Sequence, residues 1–212
     1  MKKFFMFSPY QAPEGLESGI YQAVDNPVLQ FDRPVHFPLL SIIHAQVQEN
    51  EEIEVYVVCA DYENARRNLL LFREELDAVC SEMHVKYRLC APSFDERMQF
   101  VPYDEKLDTL LTIFEQLIQN TADGDILNAC ISYGTKACPL VMMLAFKYAY
   151  RLHENVAIGC VGYGGVDFSK PRGSDRLRIF DVTSLFYMDE LVRNLADQKV
   201  DDPKEIIRML LQ

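Results

Sequence analysis

Short apolar runs alternate with longer segments of helical periodicity along the whole chain, and that alternation leaves few folds open. Residues 3–7, 53–59, 85–90, 126–131, 156–163 and 177–182 are apolar or β-branched runs of strand length. Between them lie helical patterns at 36–48, 62–83, 103–119, 139–152 and 183–197, with a last one from 203 to 212. Asp61 reads as the N-cap of the second helix, with Asn64 as an alternative start. In the third, Leu107, Leu110, Leu111, Phe114, Leu117 and Ile118 draw one amphipathic stripe, and Asp104, Glu105 and Asp108 favour its start electrostatically. Pro203 suits a first helical turn. Residues 10–35, rich in Gly, Pro, Asn and Asp, read as one long loop of the functional or mobile kind. The order β-α-β-α-β-α-β-α-β-β-α-α predicts an α/β fold: a six-stranded, mostly parallel sheet with right-handed crossovers and helices on both faces. The last two strands leave room for an antiparallel edge hairpin, with its turn at Gly164 and Gly165 and through 169–175.

In such a sheet ligands sit beyond the carboxyl ends of the strands, so the turns there matter most. The run 126–131 leads into Ser132-Tyr133-Gly134-Thr135-Lys136, and a helical pattern leads out. Free N–H groups at a helix start attract anions. Here they are joined by two hydroxyls, an aromatic ring, a glycine and a lysine, which predicts a grip on a phosphate-bearing ligand. The turn after the first strand, Ser8 to Gln11, falls on the same rim.

Charge narrows the ligand. The 212 residues carry 32 acidic and 21 basic side chains, a net charge of -11, which argues against coating DNA or long RNA but leaves room for a small anion in a local basic pocket. With 49% hydrophobic and 25% charged residues the chain can fill a sizeable core. The six cysteines show no C-x-x-C spacing and read as buried small hydrophobes in a reducing cytoplasm. Ser8-Pro9 ends the first apolar run too early for a signal peptide, and no apolar stretch is long enough to span a membrane. The spacing of His36, His44, His84 and His153 makes no metal site, and no cofactor signature is present: G-x-G-x-x-G after a strand, the P-loop and G-x-S-x-G are all missing. The R-x(4–6)-H ribonuclease pattern is missing too.

Residues 128–136, ending in Ser132-Tyr133-Gly134-Thr135-Lys136, and the junction Ile179-Phe180-Asp181-Val182-Thr183-Ser184-Leu185 together resemble CARF domains, the CRISPR-associated Rossmann fold that senses cyclic oligoadenylates. That family commonly has a turn ending in Gly-Thr-Lys and a Tyr-Asp-Val-Thr junction; Phe180 stands here in place of the tyrosine. The resemblance covers residues 1–197, implies a Rossmann-like domain there, and leaves 198–212 as a C-terminal helical extension. It implies a homodimer binding a cyclic oligoadenylate, cyclic tetra-adenylate foremost, across its two-fold axis in type III CRISPR antiviral signalling. Lys136 and the N–H groups of 134–138 would hold phosphates, Ser132 and Thr135 would donate hydrogen bonds, and Tyr133 and Tyr10 would meet adenine. Ser8 and Gln11 fall on the family's other ligand loop. The alternative it implies is a metal-independent ring nuclease, in which the ribose 2′-hydroxyl attacks its own phosphate with Lys136 and Ser8 as the catalytic residues. No general base is evident for that step. CARF proteins usually carry an effector domain; none is recognisable in residues 198–212, so the resemblance leaves a stand-alone sensor with an unidentified effector partner, a fragment of a longer effector, or a ring nuclease that destroys the signal.

Overall fold

The structure is a computed structural model describing residues 1–210. It is an α/β fold whose seven strands form one sheet. The strands are β1 (Lys2–Phe7), β2 (Gln22–Ala23), β3 (Glu52–Val58), β4 (Lys86–Cys90), β5 (Ile126–Cys130), β6 (Ala157–Val166) and β7 (Leu177–Asp181). The helices are α1 (Leu39–Gln46), α2 (Glu63–Glu82), α3 (Leu107–Ile118), α4 (Ala137–Leu152), α5 (Thr183–Asp197) and α6 (Lys204–Leu210). Sheet order is β2-β7-β6-β5-β1-β3-β4, parallel throughout except between β6 and β7.

Side chains alternate across the sheet and require helices on both faces. Phe5 stacks on Tyr56 and meets Phe146 of α4 edge-on; α4 in turn meets α3 through Tyr148 and Phe114, and α5 through Tyr150 and Phe186. The opposite face takes α1, with Ile42 over Gly162, and α2, whose Phe72 meets Phe37. The chain runs from β1 outward through β3 to β4, then returns to the other side of β1 as β5. That reversal opens a crevice at the carboxyl ends of β1 and β5.

The sheet departs from the expected six strands in two places. Residues 10–35 are ordered by buried Leu16, Tyr21, Leu29, Phe31 and Val35, and contain β2, which pairs with β7. Two residues are too few to show alternation, and β2 places β7 inside the sheet rather than at its edge. The expected turn at Gly164 and Gly165 is instead strand: β6 runs through both to Val166, opposite Leu177. A Cβ at Gly162 would lie 2.5 Å from Ile42 Cδ1, and one at Gly164 2.3 Å from Pro38 Cγ. These glycines let α1 approach; they do not turn the chain.

Helix starts also differ. Pro38 delays α1 to Leu39, so His36 lies outside the helix expected to begin there. Tyr62, not Asp61, occupies the cap position of α2, and Asp61 pairs with Arg66 instead. Helix α3 begins at Leu107 rather than at 103; Asp104 accepts from Thr109 Oγ1 at 2.6 Å and from Lys106 N at 3.1 Å just ahead of it. The C-terminal helix is seen through Leu210, and its expected continuation through Leu211 to Gln212 lies outside the described residues. Among the described residues no helix is long and apolar enough to cross a membrane. All six cysteines are buried and unpaired.

Candidate functional site

A cleft of about 480 Å³ occupies the crevice. Three segments wall it: the loop after β1 (Pro9, Tyr10, Gln11), the turn after β5 (Ser132, Tyr133, Gly134), and the β6–β7 arm with the facing 15–17 segment. The sequence points to the first two. The third contributes Tyr163, Phe168, Arg172 and Arg176, opposite Glu17.

The loop after β1 is pinned from α2. Buried Asn68 donates through Nδ2 to Pro9 O and to Gln11 O, both at 2.9 Å. Tyr10 lines the cleft with its ring edge-on to Tyr103 and its hydroxyl 3.9 Å from Cys138 Sγ. Burial, reinforced by the neighbouring Cys138, pushes the Tyr10 hydroxyl well above its usual range, so it stays protonated and able to donate. Gln11 is exposed at the cleft wall. Ser8 lies apart from it: the residue is buried and its hydroxyl donates to Ala65 O at 2.6 Å.

The turn after β5 is locked from three sides. Ser132 Oγ accepts from Gly164 N at 2.6 Å and lies 3.0 Å from Cys130 Sγ. Tyr133 packs its ring against Phe37, and its hydroxyl donates to His36 O at 2.8 Å, where Tyr21 also donates at 3.0 Å. Its hydroxyl is therefore engaged within the protein rather than directed at a ligand. Burial and the adjacent Tyr21 hold the Tyr133 hydroxyl far above its usual range. Gly134 has φ +95, and a Cβ there would sit 2.7 Å from Cys138 Cβ. Thr135 Oγ1 lies 3.4 Å from Cys138 Sγ, outside the cleft lining. Lys136 is exposed at the start of α4, also just outside the lining.

The N–H groups of the turn are fewer than the 134–138 expected from sequence. Cys138 N donates to Thr135 O at 3.1 Å, and Pro139 has no N–H. Among the described residues, those of Gly134, Thr135, Lys136 and Ala137 meet no protein acceptor, the arrangement of a helix start that suits an anion.

The β6–β7 arm adds aromatic and cationic surface. Phe168 is 85% exposed at the cleft, and Tyr163 is partly exposed beside it. Arg172 Nη2 donates to Gly15 O at 3.2 Å, and Arg176 forms a bidentate pair with Glu17. Phe168, Arg172 and Arg176 lie in a polar, aperiodic stretch beyond the strand run that ends at Tyr163; the aromatic and arginine content of 163–176 is the hint the sequence offers.

The other candidate motif, Asp181-Val182-Thr183, is structural in its contacts. Asp181 Oδ1 accepts from Thr183 N and Oγ1, Asp181 Oδ2 accepts from Asn26 Nδ2 at 2.7 Å, and Thr183 Oγ1 accepts from Val161 N at 2.8 Å. One short segment thus ties together β6, β7, α5 and the loop beside β2. Among the described residues no group of three His, Cys, Asp or Glu side chains is placed to hold a metal ion. Set against known proteins, the chain matches no family model and no curated sequence.

Proposed function

We propose that this chain binds a cyclic oligoadenylate second messenger, cyclic tetra-adenylate foremost, across a homodimer, as a sensor in type III CRISPR antiviral signalling. The observation that carries the reading is the crevice at the β1/β5 switch point, where Tyr10 and Gln11 meet the Ser132–Gly134 turn in one cleft. Its volume lies within the range of small-ligand sites, about 300–1,000 Å³. Phosphodiesters would be held by the N–H groups of Gly134, Thr135 and Lys136, with the Lys136 ammonium beside them. Adenines would find Tyr10, Tyr163 and Phe168, whose rings offer stacking surfaces. A two-fold axis would use each of these groups twice and would reconcile a net charge of -11 with a polyanionic ligand.

Binding is favoured over cleavage. The ring-nuclease reading needs groups aligned on a 2′-hydroxyl and its phosphate. The Ser8 hydroxyl is buried and given to Ala65 O, and among the described residues no histidine side chain lines the cleft to take a proton.

Metal-free incubation with cyclic tetra- and hexa-adenylate, followed by chromatography and thermal melting, tests both. A raised melting temperature with intact ligand, lost in Lys136→Ala, is the expected result, because a ligand that binds only the native state stabilises it. Linear products that vanish in Lys136→Ala would transfer the reading to the ring nuclease. Neither a shift nor cleavage would overturn both.

A further inference from the structure

One wall of the cleft already holds an anion, and it belongs to the chain. Glu17 places its carboxylate in the fork of Arg176, with Arg176 Nε 2.8 Å from Oε2 and 3.1 Å from Oε1 and Nη2 also donating to Oε2. The backbone N–H of Gly173 donates to Oε1 at 3.0 Å. Both side chains are largely withdrawn from solvent, at 14% exposure for Arg176 and 12% for Glu17, and both line the cleft. A guanidinium fork plus a backbone N–H, with Arg172 alongside, is the donor set that recognises a tetrahedral oxyanion as readily as a carboxylate.

We propose that Arg176 and the Gly173 N–H form a phosphate-binding subsite that Glu17 occupies until a phosphodiester ligand displaces it. This rests on the reading that the cleft takes such a ligand, and it assigns that ligand a contact on the β6–β7 arm. The exchange is chemically even: a phosphodiester carries one negative charge and two free oxygens, as the carboxylate does. Glu17 follows a single 3-10 turn, Pro13–Gly15, and precedes β2, so its side chain can swing to solvent without breaking a sheet hydrogen bond. Arg176 stays anchored meanwhile, because its Nη1 donates to Lys170 O at 3.4 Å.

The device selects for ligands with several linked phosphates. A mononucleotide must displace Glu17 with a single phosphate, whereas a ring already held at the Gly134–Lys136 turn presents its next phosphate to Arg176 at high effective concentration. Glu17 thereby sets a threshold against abundant mononucleotides.

Titration calorimetry on the full chain with cyclic tetra-adenylate, and separately with adenosine monophosphate, tests the exchange. The proteins are wild type, Glu17→Gln, Arg176→Gln and the double variant. Glutamine keeps the shape and the acceptor oxygen of Glu17 while removing its charge. Glu17→Gln should bind the ring about 5- to 10-fold tighter, Arg176→Gln about 10-fold or more weaker, and the gain from Glu17→Gln should vanish when Arg176 is absent. The monophosphate should gain by no more than the same factor, since displacing Glu17 costs either ligand the same free energy. Unchanged or weaker ring binding by Glu17→Gln, with wild type binding normally, overturns the exchange and leaves Glu17 as a strap between the two walls. Ring binding by none of the four proteins overturns the functional reading as well.

Discussion

Gly134 is the residue on which the turn after β5 depends. Its φ of +95 lies where an L side chain is strained, and a Cβ would press on Cys138 Cβ at 2.7 Å and on Phe7 Cγ at 3.2 Å. Gly124 provides the comparison, because its φ of +74 is similar but a Cβ there would meet nothing within 4 Å. Gly134→Ala should therefore cost about 2–3 kcal/mol of stability and Gly124→Ala about 1 kcal/mol, measured by urea unfolding. Equal costs would show that close packing against α4 does not fix this turn. A glycine between a strand and a helix is legible in sequence; its contact with Phe7 is not, because the two are brought together only by the pairing of β1 with β5. The same limit explains Ser8 and Tyr133. Residue type marks both as ligand-facing candidates, but the backbone oxygens they bond, Ala65 O and His36 O, come from elements distant in the chain.

At the scale of elements, the connection from β4 to α3 is held by a charge network together with one short bridge, Val101 to Ala60. Asp95, buried after β4, accepts from Arg97 N at 3.0 Å and pairs with the guanidinium groups of Arg97 and Arg88 at 3.0 and 2.9 Å. The hydrogen bonds from Arg97 hold the Asp95 carboxyl well below the usual carboxylate range, against the opposing effect of burial. A carboxyl whose folded value is depressed adds stability that is complete above its unfolded value and is lost as pH falls through the folded one. Asp95→Asn should thus lower stability by about 2 kcal/mol at neutral pH, discounting the full cost of breaking a buried pair because Arg97 and Arg88 remain partly hydrated. That deficit should shrink as the pH of the unfolding experiment drops below about 4, where the unfolded aspartate takes up its proton. A deficit constant down to pH 2 would mean that the network does not depend on the Asp95 charge. Nothing in residues 91–101 announces this arrangement, since ion-pair geometry leaves no periodicity. Most regular elements do announce themselves: β1, β3 and β5 are largely apolar runs because both of their faces are covered, whereas β4, at the sheet edge, leaves Lys86 and Arg88 outside the core. In α3 the apolar stripe and the buried face only partly coincide: Ile113 and Leu117 are buried with Thr109 and Gln116, while Leu107 and Leu111 are exposed. Strand β2 stays hidden, being two half-buried residues that join the sheet through β7.

For the molecule as a whole, the alternation of strands and helices is enough to place the crevice, because the chain must reverse somewhere in a doubly wound sheet. It does not reveal the third wall of the cleft, nor which outer surface stays apolar. That surface is now definite. On α4, Leu140, Leu144, Tyr148 and Leu152 repeat every four residues along one side, with Leu140 at 67% and Leu144 at 59% exposure. Leu107 and Leu111 of neighbouring α3 are exposed as well. Helices that bury one face against the sheet ordinarily turn charge outward, so this apolar stripe is the surface the proposed homodimer would use. The stripe begins one turn from the Gly134–Lys136 N–H groups, so the proposed dimer, joined along α4, would carry those groups near its interface. If the two-fold reading holds, Leu144→Glu should convert a dimer to a monomer in sedimentation velocity without lowering the melting temperature of the protomer, because Leu144 contributes little to the core. Its affinity for cyclic tetra-adenylate should fall by at least about tenfold, the loss expected when two linked half-sites become one. A monomeric wild type would remove the two-fold site. A variant that stays dimeric and binds normally would move the interface away from α4.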